Sequence, residues 1–89
     1  MASRPYLSIV IPLFNEAGNV ADLHRQLTDS LEPMGRPYEI LLVDDGSTDG
    51  TLARLLEIEG GDARVRVLRL RRNFGQTAAF SAGFDHARG

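Results

Sequence analysis

Tyr38-Glu39-Ile40-Leu41-Leu42-Val43-Asp44-Asp45-Gly46-Ser47-Thr48-Asp49-Gly50 is the stretch that decides the fold of this 89-residue chain. Its first six residues form a short apolar run bounded by Pro37 and Gly46. A run of that length, continuous rather than alternating, predicts a strand buried on both faces. Two adjacent carboxylates and a small, turn-forming tail follow, and they cannot be core. The end of a buried strand is where α/β proteins meet their ligands.

The same grammar occurs twice more. Leu7-Ser8-Ile9-Val10-Ile11-Pro12-Leu13 is rich in β-branched residues and ends in Phe14-Asn15-Glu16, with Asn15 placed to cap a following helix. Val65-Arg66-Val67-Leu68-Arg69-Leu70 ends in Arg71-Arg72-Asn73-Phe74-Gly75. A first helix is expected from about Glu16 to Leu31, on the spacing of Val20, Leu23, Leu27 and Leu31, ending near Pro33-Met34-Gly35. His24 and Arg25 fall beside that stripe and are expected to face solvent. A second helix should start after Thr48 or Asp49, bury Leu52, Leu55 and Leu56, and stop at Gly60-Gly61. A third is expected from about Gly75-Gln76 to the last residue, with Phe80, Gly83, Phe84 and Ala87 on one face.

Three strands joined by helices predict an α/β, three-layer βαβαβα unit with a parallel sheet, and connections of one hand bring all three polar exits to one edge. Arg64, Arg66 and Arg69 interrupt the third strand, which suits an edge position and gives the order 3-2-1. The free side of the first strand is then an apolar edge where a fourth strand, or a second copy of the chain, would pair. The expectation is a truncated domain. No repeat, low-complexity tract or linker divides residues 1–89.

Composition narrows the chemistry. The net charge of -2 gives no overall attraction to nucleic acid or an anionic membrane. The apolar runs fall far short of the roughly 20 residues that span a bilayer, so neither signal peptide nor membrane span is expected. There is no cysteine, hence no disulfide framework and no thiolate chemistry, which is compatible with a reducing cytosol. All ten basic residues are arginine, which excludes any lysine Schiff base or phosphate-binding lysine. Phosphate-binding P-loop, dinucleotide-binding and nucleophile-elbow motifs are all absent. A phosphate-accepting receiver domain would want carboxylates where Asn15, Glu16 and Arg71 stand. His24 and His86 lack the spacing of metal ligands or of a triad.

Asp44 and Asp45 leave three chemistries open: a divalent metal, a base N–H or ribose hydroxyl, or simple capping of the loop. Convergence with Asn15, Glu16 and the arginines favours a nucleotide, which needs acceptors for base and sugar beside cations for phosphate. Neighbouring residues of a strand point to opposite faces, so one carboxylate reaches the ligand; Asp45 is favoured, with Asp44 bracing the loop. Arg72 and Gln76 stand before and within a helix N-terminus, where free N–H groups and the helix dipole favour an anion. Arg71 and Arg72 are equally readable as a solvated surface pair, and Glu16 as a complement to the dipole.

Ser8 to Glu16, Glu39 to Thr51, and Arg72-Asn73-Phe74-Gly75-Gln76-Thr77-Ala78-Ala79 together resemble the opening of the family 2 glycosyltransferases. The Arg-Asn-Phe-Gly segment is most similar to the dolichyl-phosphate mannose synthase branch, whose members load a sugar onto a polyprenyl phosphate. The resemblance covers nearly the whole chain and implies that residues 1–89 are the Rossmann-like, nucleotide-binding half of a GT-A domain. It places Pro12, Phe14, Asn15 and Glu16 in the first nucleotide-contacting segment, where the position of Phe14 is commonly tyrosine. It makes Asp45 the base contact, with Asp44, Gly46 and Ser47 in the same turn, and sets Arg72, Asn73 and Gln76 near the phosphates.

The reaction implied is an inverting transfer from a UDP- or GDP-sugar to a polyprenyl phosphate at the cytoplasmic face of a membrane, with Mg or Mn in the intact enzyme. The Asp-x-Asp metal motif and the catalytic base do not occur in these residues. The expectation is a piece that binds no metal and is inactive alone. A second expectation, of another class, is a noncatalytic assembly module that self-associates through the edge of the first strand.

Overall fold

The computed structural model describes residues 5–70 together with Asp85 and Ala87. Three strands, β1 (Leu7–Leu13), β2 (Tyr38–Asp44) and β3 (Val65–Arg69), alternate with two helices, α1 (Val20–Leu31) and α2 (Thr51–Gly61). The sheet is parallel throughout in the order β1-β2-β3, so the expected order is found and β2 is central. The apolar run Tyr38–Val43 is buried along its whole length, as a strand between two neighbours requires. β3, with its arginines, runs from buried Val65 to exposed Arg69.

One face of the sheet makes the core. Leu7, Ile11 and Leu13 of β1, Tyr38, Ile40 and Leu42 of β2, and Val65 and Val67 of β3 pack with Val20, Leu23, Leu27 and Leu31 of α1 and Leu55 and Ile58 of α2. Both described helices therefore lie on the same face, as successive crossovers of one hand dictate for strands laid down in sequence order. The helix expected from Gly75, and the further layer it would supply, lie outside the described residues. On the opposite face the buried carboxylate of Glu39 accepts from Ser8 Oγ at 2.6 Å and Arg66 Nη1 at 3.0 Å, linking three strands at the end of the sheet remote from the loops.

Four local expectations change. α1 begins at Val20 rather than Glu16 and is flanked by Asn19, because the backbone at Asn15 is left-handed (φ 53°) and the Glu16 N–H is taken by Thr51 Oγ1 at 2.8 Å. Asn15 therefore caps no helix of its own. Leu56 is 49% exposed, since the stripe facing the sheet runs Thr51, Leu55, Ile58 and a residue 100° around from Leu55 leaves it. His24 is half-buried, its Nε2 2.9 Å from Asp62 Oδ2, and ties α1 to the residue that ends α2. The expected end of α1 holds: a 3-10 turn over Glu32–Met34 closes on Gly35, whose φ of 66° suits a residue without a Cβ. No helix among the described residues is long and apolar enough to cross a membrane.

Candidate functional site

The C-terminal ends of β1 and β2 lie side by side, and their loops are laced together. The ladder runs one step past the strands: Asp45 N–H donates to the Leu13 carbonyl at 2.8 Å, and Leu70 N–H donates to the Asp44 carbonyl at 2.9 Å. The third polar exit thus leaves from beside Asp44. Gly46 then turns the chain with φ 74°, a left-handed value that glycine takes without steric cost.

Asn15 is the centre of the lacing. Its side-chain Oδ1 accepts from Thr48 N at 2.8 Å and Asp49 N at 3.3 Å, while its own N–H donates to Ser47 Oγ at 3.0 Å. Asparagine is among the few side-chain-bearing residues that tolerate a left-handed backbone, which lets the amide reach across instead of forward. The second cross-link is Thr51. Its fully buried hydroxyl accepts the Glu16 N–H and donates to Asp49 Oδ1, which also accepts the Thr51 N–H at 2.9 Å. The hydrogen bonds from the Thr51 hydroxyl, and next from its N–H, hold the Asp49 carboxyl below the ordinary aspartate range. Glu16 is fixed in turn by Asn19, which donates from Nδ2 to Glu16 Oε2 at 2.9 Å and from its backbone N–H to the Glu16 carbonyl at 2.9 Å.

The predicted site residues divide accordingly. Pro12 is half-buried within β1, Phe14 presents an exposed ring, and Asn15, Glu16, Gly46 and Ser47 form the laced rim. Asp44 and Asp45 are both buried, at 1% and 3% exposure. Asp44 Oδ1 meets no hydrogen-bond donor among the described residues. A buried acceptor in that state costs about 1–3 kcal/mol, which a donor brought by a ligand would recover. Glu16 also lines a cleft of about 370 Å³ with Leu13, Asn19, Asp22, Leu23 and Gln26. Arg72, Asn73 and Gln76 lie outside the described residues. Sequence reasoning missed Thr51, although Asp49-Gly50-Thr51 has the spacing by which an aspartate side chain takes the N–H two residues on.

This rim is acidic: Glu16, Asp44 and Asp45 supply acceptors, while the Asp49 carboxylate is turned to Thr51. Such a cup suits a ligand that offers N–H and O–H groups, and a phosphate would need the cations expected at 71 and 72. Among the described residues no group of three or more His, Cys, Asp or Glu side chains is placed to hold a metal ion.

Fold and rim define an α/β protein with a polar loop cluster at the C-terminal edge of a parallel sheet, where such sheets bind ligands. Residues 8–89 match the profile described as Glycosyl transferase family 2, and the chain belongs to that family. It is 43% identical over 83 residues to an uncharacterized glycosyltransferase of Synechocystis sp., covering 93% of this chain and 26% of that protein. It is 44% identical over 84 residues to a dodecaprenyl-phosphate galacturonate synthase of Rhizobium johnstonii, covering 93% of this chain and 25% of that protein. The chain thus spans about a quarter of the length of these curated relatives. Among solved structures, a mannosyltransferase of Pyrobaculum calidifontis in complex with GDP-Man and Mn2+ matches with a TM-score of 0.76 at 20% identity, over 96% of this chain and 25% of that one. At that identity the likeness is one of fold, a portion of a GT-A glycosyltransferase.

Proposed function

We propose that residues 1–89 are the nucleotide-recognition part of a glycosyltransferase that moves a sugar from a UDP- or GDP-sugar to a polyprenyl phosphate with inversion. The observation that carries the reading is the rim itself: two loops laced at the ligand edge of the sheet, with a buried carboxylate oxygen of Asp44 that no described donor satisfies. The name of the Rhizobium relative supports a polyprenyl phosphate as acceptor, and the GDP-Man complex supports a nucleotide sugar as donor. Both remain this reading's own extension to the present chain.

In it, Asp45 accepts from the base and Glu16 from the ribose, while the Phe14 ring packs on the nucleotide and Pro12 shapes the strand end beneath it. Asp44 offers its Oδ1 to a donor of the same ligand, and Gly46 and Ser47 form the turn around them. Arg72, Asn73 and Gln76 hold the diphosphate. A polyprenyl phosphate oxygen is already anionic, so attack on the anomeric carbon needs no strong base; the C–O bond to the diphosphate breaks as the new one forms, and the nucleoside diphosphate leaves with the electron pair. Mg or Mn would belong to the intact enzyme, as would placement at the cytoplasmic face of a membrane. These residues alone should bind nucleotide weakly and transfer nothing.

Titration of the isotope-labelled chain with UDP and GDP, with and without Mn2+, tests the reading by amide NMR. Shifts clustered at 12–16, 44–48 and 72–77 that weaken in Asp45→Ala are expected; a folded chain that shows none removes it. A second reading, self-association through β1, draws on the position of β1 at the margin of the described sheet. Gel filtration separates the two, since assembly requires a dimer that nucleotide does not affect.

A further inference from the structure

Glu16 is held in place both from within its own loop and from across the gap to α2. Its backbone N–H is bound by Thr51 Oγ1 at 2.8 Å across 35 residues of sequence, and its carbonyl and carboxylate are both bound by Asn19. A hydroxyl rotates freely unless its hydrogen is claimed. Here Asp49 Oδ1 takes that hydrogen, which turns a lone pair of Thr51 Oγ1 toward Glu16. Thr51 is fully buried at the first position of α2, and a buried hydroxyl needs a partner in both roles. Both roles are filled, one on each side of the gap between the loops.

We infer that Asp49 and Thr51 form a positioning pair that touches no substrate and sets the backbone of Glu16, and so its carboxylate, at the nucleotide rim. The pair acts through Glu16 and its bonds are distinct from the Asn15 lacing, which holds the Ser47 hydroxyl and the backbone N–H groups of Thr48 and Asp49. The inference rests on the nucleotide reading above.

The test compares the wild-type chain with Thr51→Val, Thr51→Ser and the exposed-site variant Asp49→Ala, using UDP and GDP as probes and the Glu16 amide as reporter. Thr51→Val keeps the shape and removes the acceptor. It should raise the dissociation constant of whichever nucleotide binds about tenfold, the worth of one well-made hydrogen bond at a binding site. The Glu16 amide should lose hydrogen-exchange protection selectively, while amides of β2 keep theirs. Thr51→Ser, which retains the hydroxyl, should restore both. Asp49→Ala, at an exposed position, leaves the hydroxyl unoriented and should fall between. If Thr51→Val disturbs the fold, loss of β2 protection reveals it and Asp49→Ala carries the test alone. A wild-type chain that binds while both Thr51→Val and Asp49→Ala bind equally well removes the positioning role and leaves the nucleotide reading intact. A folded wild-type chain that binds neither nucleotide removes both.

Discussion

Replacing Asn15 separates two effects that the structure places on one residue. Its backbone is left-handed at φ 53°, and its carboxamide oxygen holds the Thr48 and Asp49 N–H groups at 2.8 and 3.3 Å. Asn15→Ala loses both bonds; at an exposed position water takes over part of each, so the loss is about 0.5 kcal/mol apiece. A Cβ without a polar tip adds about 1 kcal/mol for the left-handed backbone, for a total near 2 kcal/mol. Asn15→Gly loses the same bonds without that strain, but a freer unfolded chain costs it about 0.5 kcal/mol, for a total near 1.5 kcal/mol. Asn15→Asp keeps the accepting oxygen and the left-handed tolerance and loses only the exposed contact from Nδ2 to Thr48 Oγ1, which at 3.4 Å is too long to weigh in any of the three variants, so it should stay within about 0.3 kcal/mol of wild type. Urea unfolding followed by circular dichroism reads the order, since a slope of about 1 kcal/mol/M turns each difference into a midpoint shift of comparable size in molar units. An alanine variant as stable as the glycine variant would refute the left-handed assignment. An aspartate variant as weak as alanine would refute the lacing.

Further expectations concern the core, the buried carboxylate and two titrations. Leu55→Ala, at a side chain with no exposure, should cost about 2–5 kcal/mol, a large share of what a domain this small has, and show as a collapse of the urea midpoint. Asp44→Asn removes the charge from a buried group with an oxygen that meets no donor among the described residues; it should raise the melting temperature and weaken UDP or GDP binding, whereas a lower melting temperature would mean that the carboxylate is stabilising in the free chain. Because the Asp49 pKa is lowered on folding, the stability it contributes is present above the unfolded value of about 3.9 and is lost as pH falls through the folded one; the Glu16 amide shift should follow that titration below pH 3.9. Burial, and secondly the Asp62 charge, raise the Tyr38 pKa, so its contribution holds below about pH 10 and is lost as pH climbs through the higher folded value, which phenolate absorbance would follow.

The strands were legible because each is an apolar run long enough to cross the sheet, and Arg66 and Arg69 pointed β3 to the margin it holds in the described sheet. The end of α2 and the glycine stop of the turn after α1 were legible from Gly60-Gly61 and Gly35 by the same local logic, whereas the start of α2 was not, since Gly50 holds the cap position expected of Thr48 or Asp49. What escaped was whatever depends on residues far apart in sequence. Asn15 before Glu16 has the local form of a helix cap, yet its partners lie more than thirty residues on, and those bonds delay α1 to Val20. His24 looked like a solvent-facing helix residue because nothing local announces Asp62. Asp44 and Asp45 were marked by their place at a strand end and by the family resemblance, and the Asp44 oxygen that no described donor reaches is visible only once the strand is packed.

The buried Glu39, between Ser8 and Arg66, has a bearing on where the rim forms. Side chains alternate along a strand, so sliding β2 by one residue would turn Glu39 from its two partners into the layer of Ile40, Leu42 and Val20. An apolar residue at that place would allow the slip at little penalty; a buried carboxylate does not. The polar link thus works as an alignment key. It stands at one end of the sheet, and by forbidding misregistered pairings it fixes which residues emerge at the other end, so that Asn15 meets Thr48 instead of its neighbour.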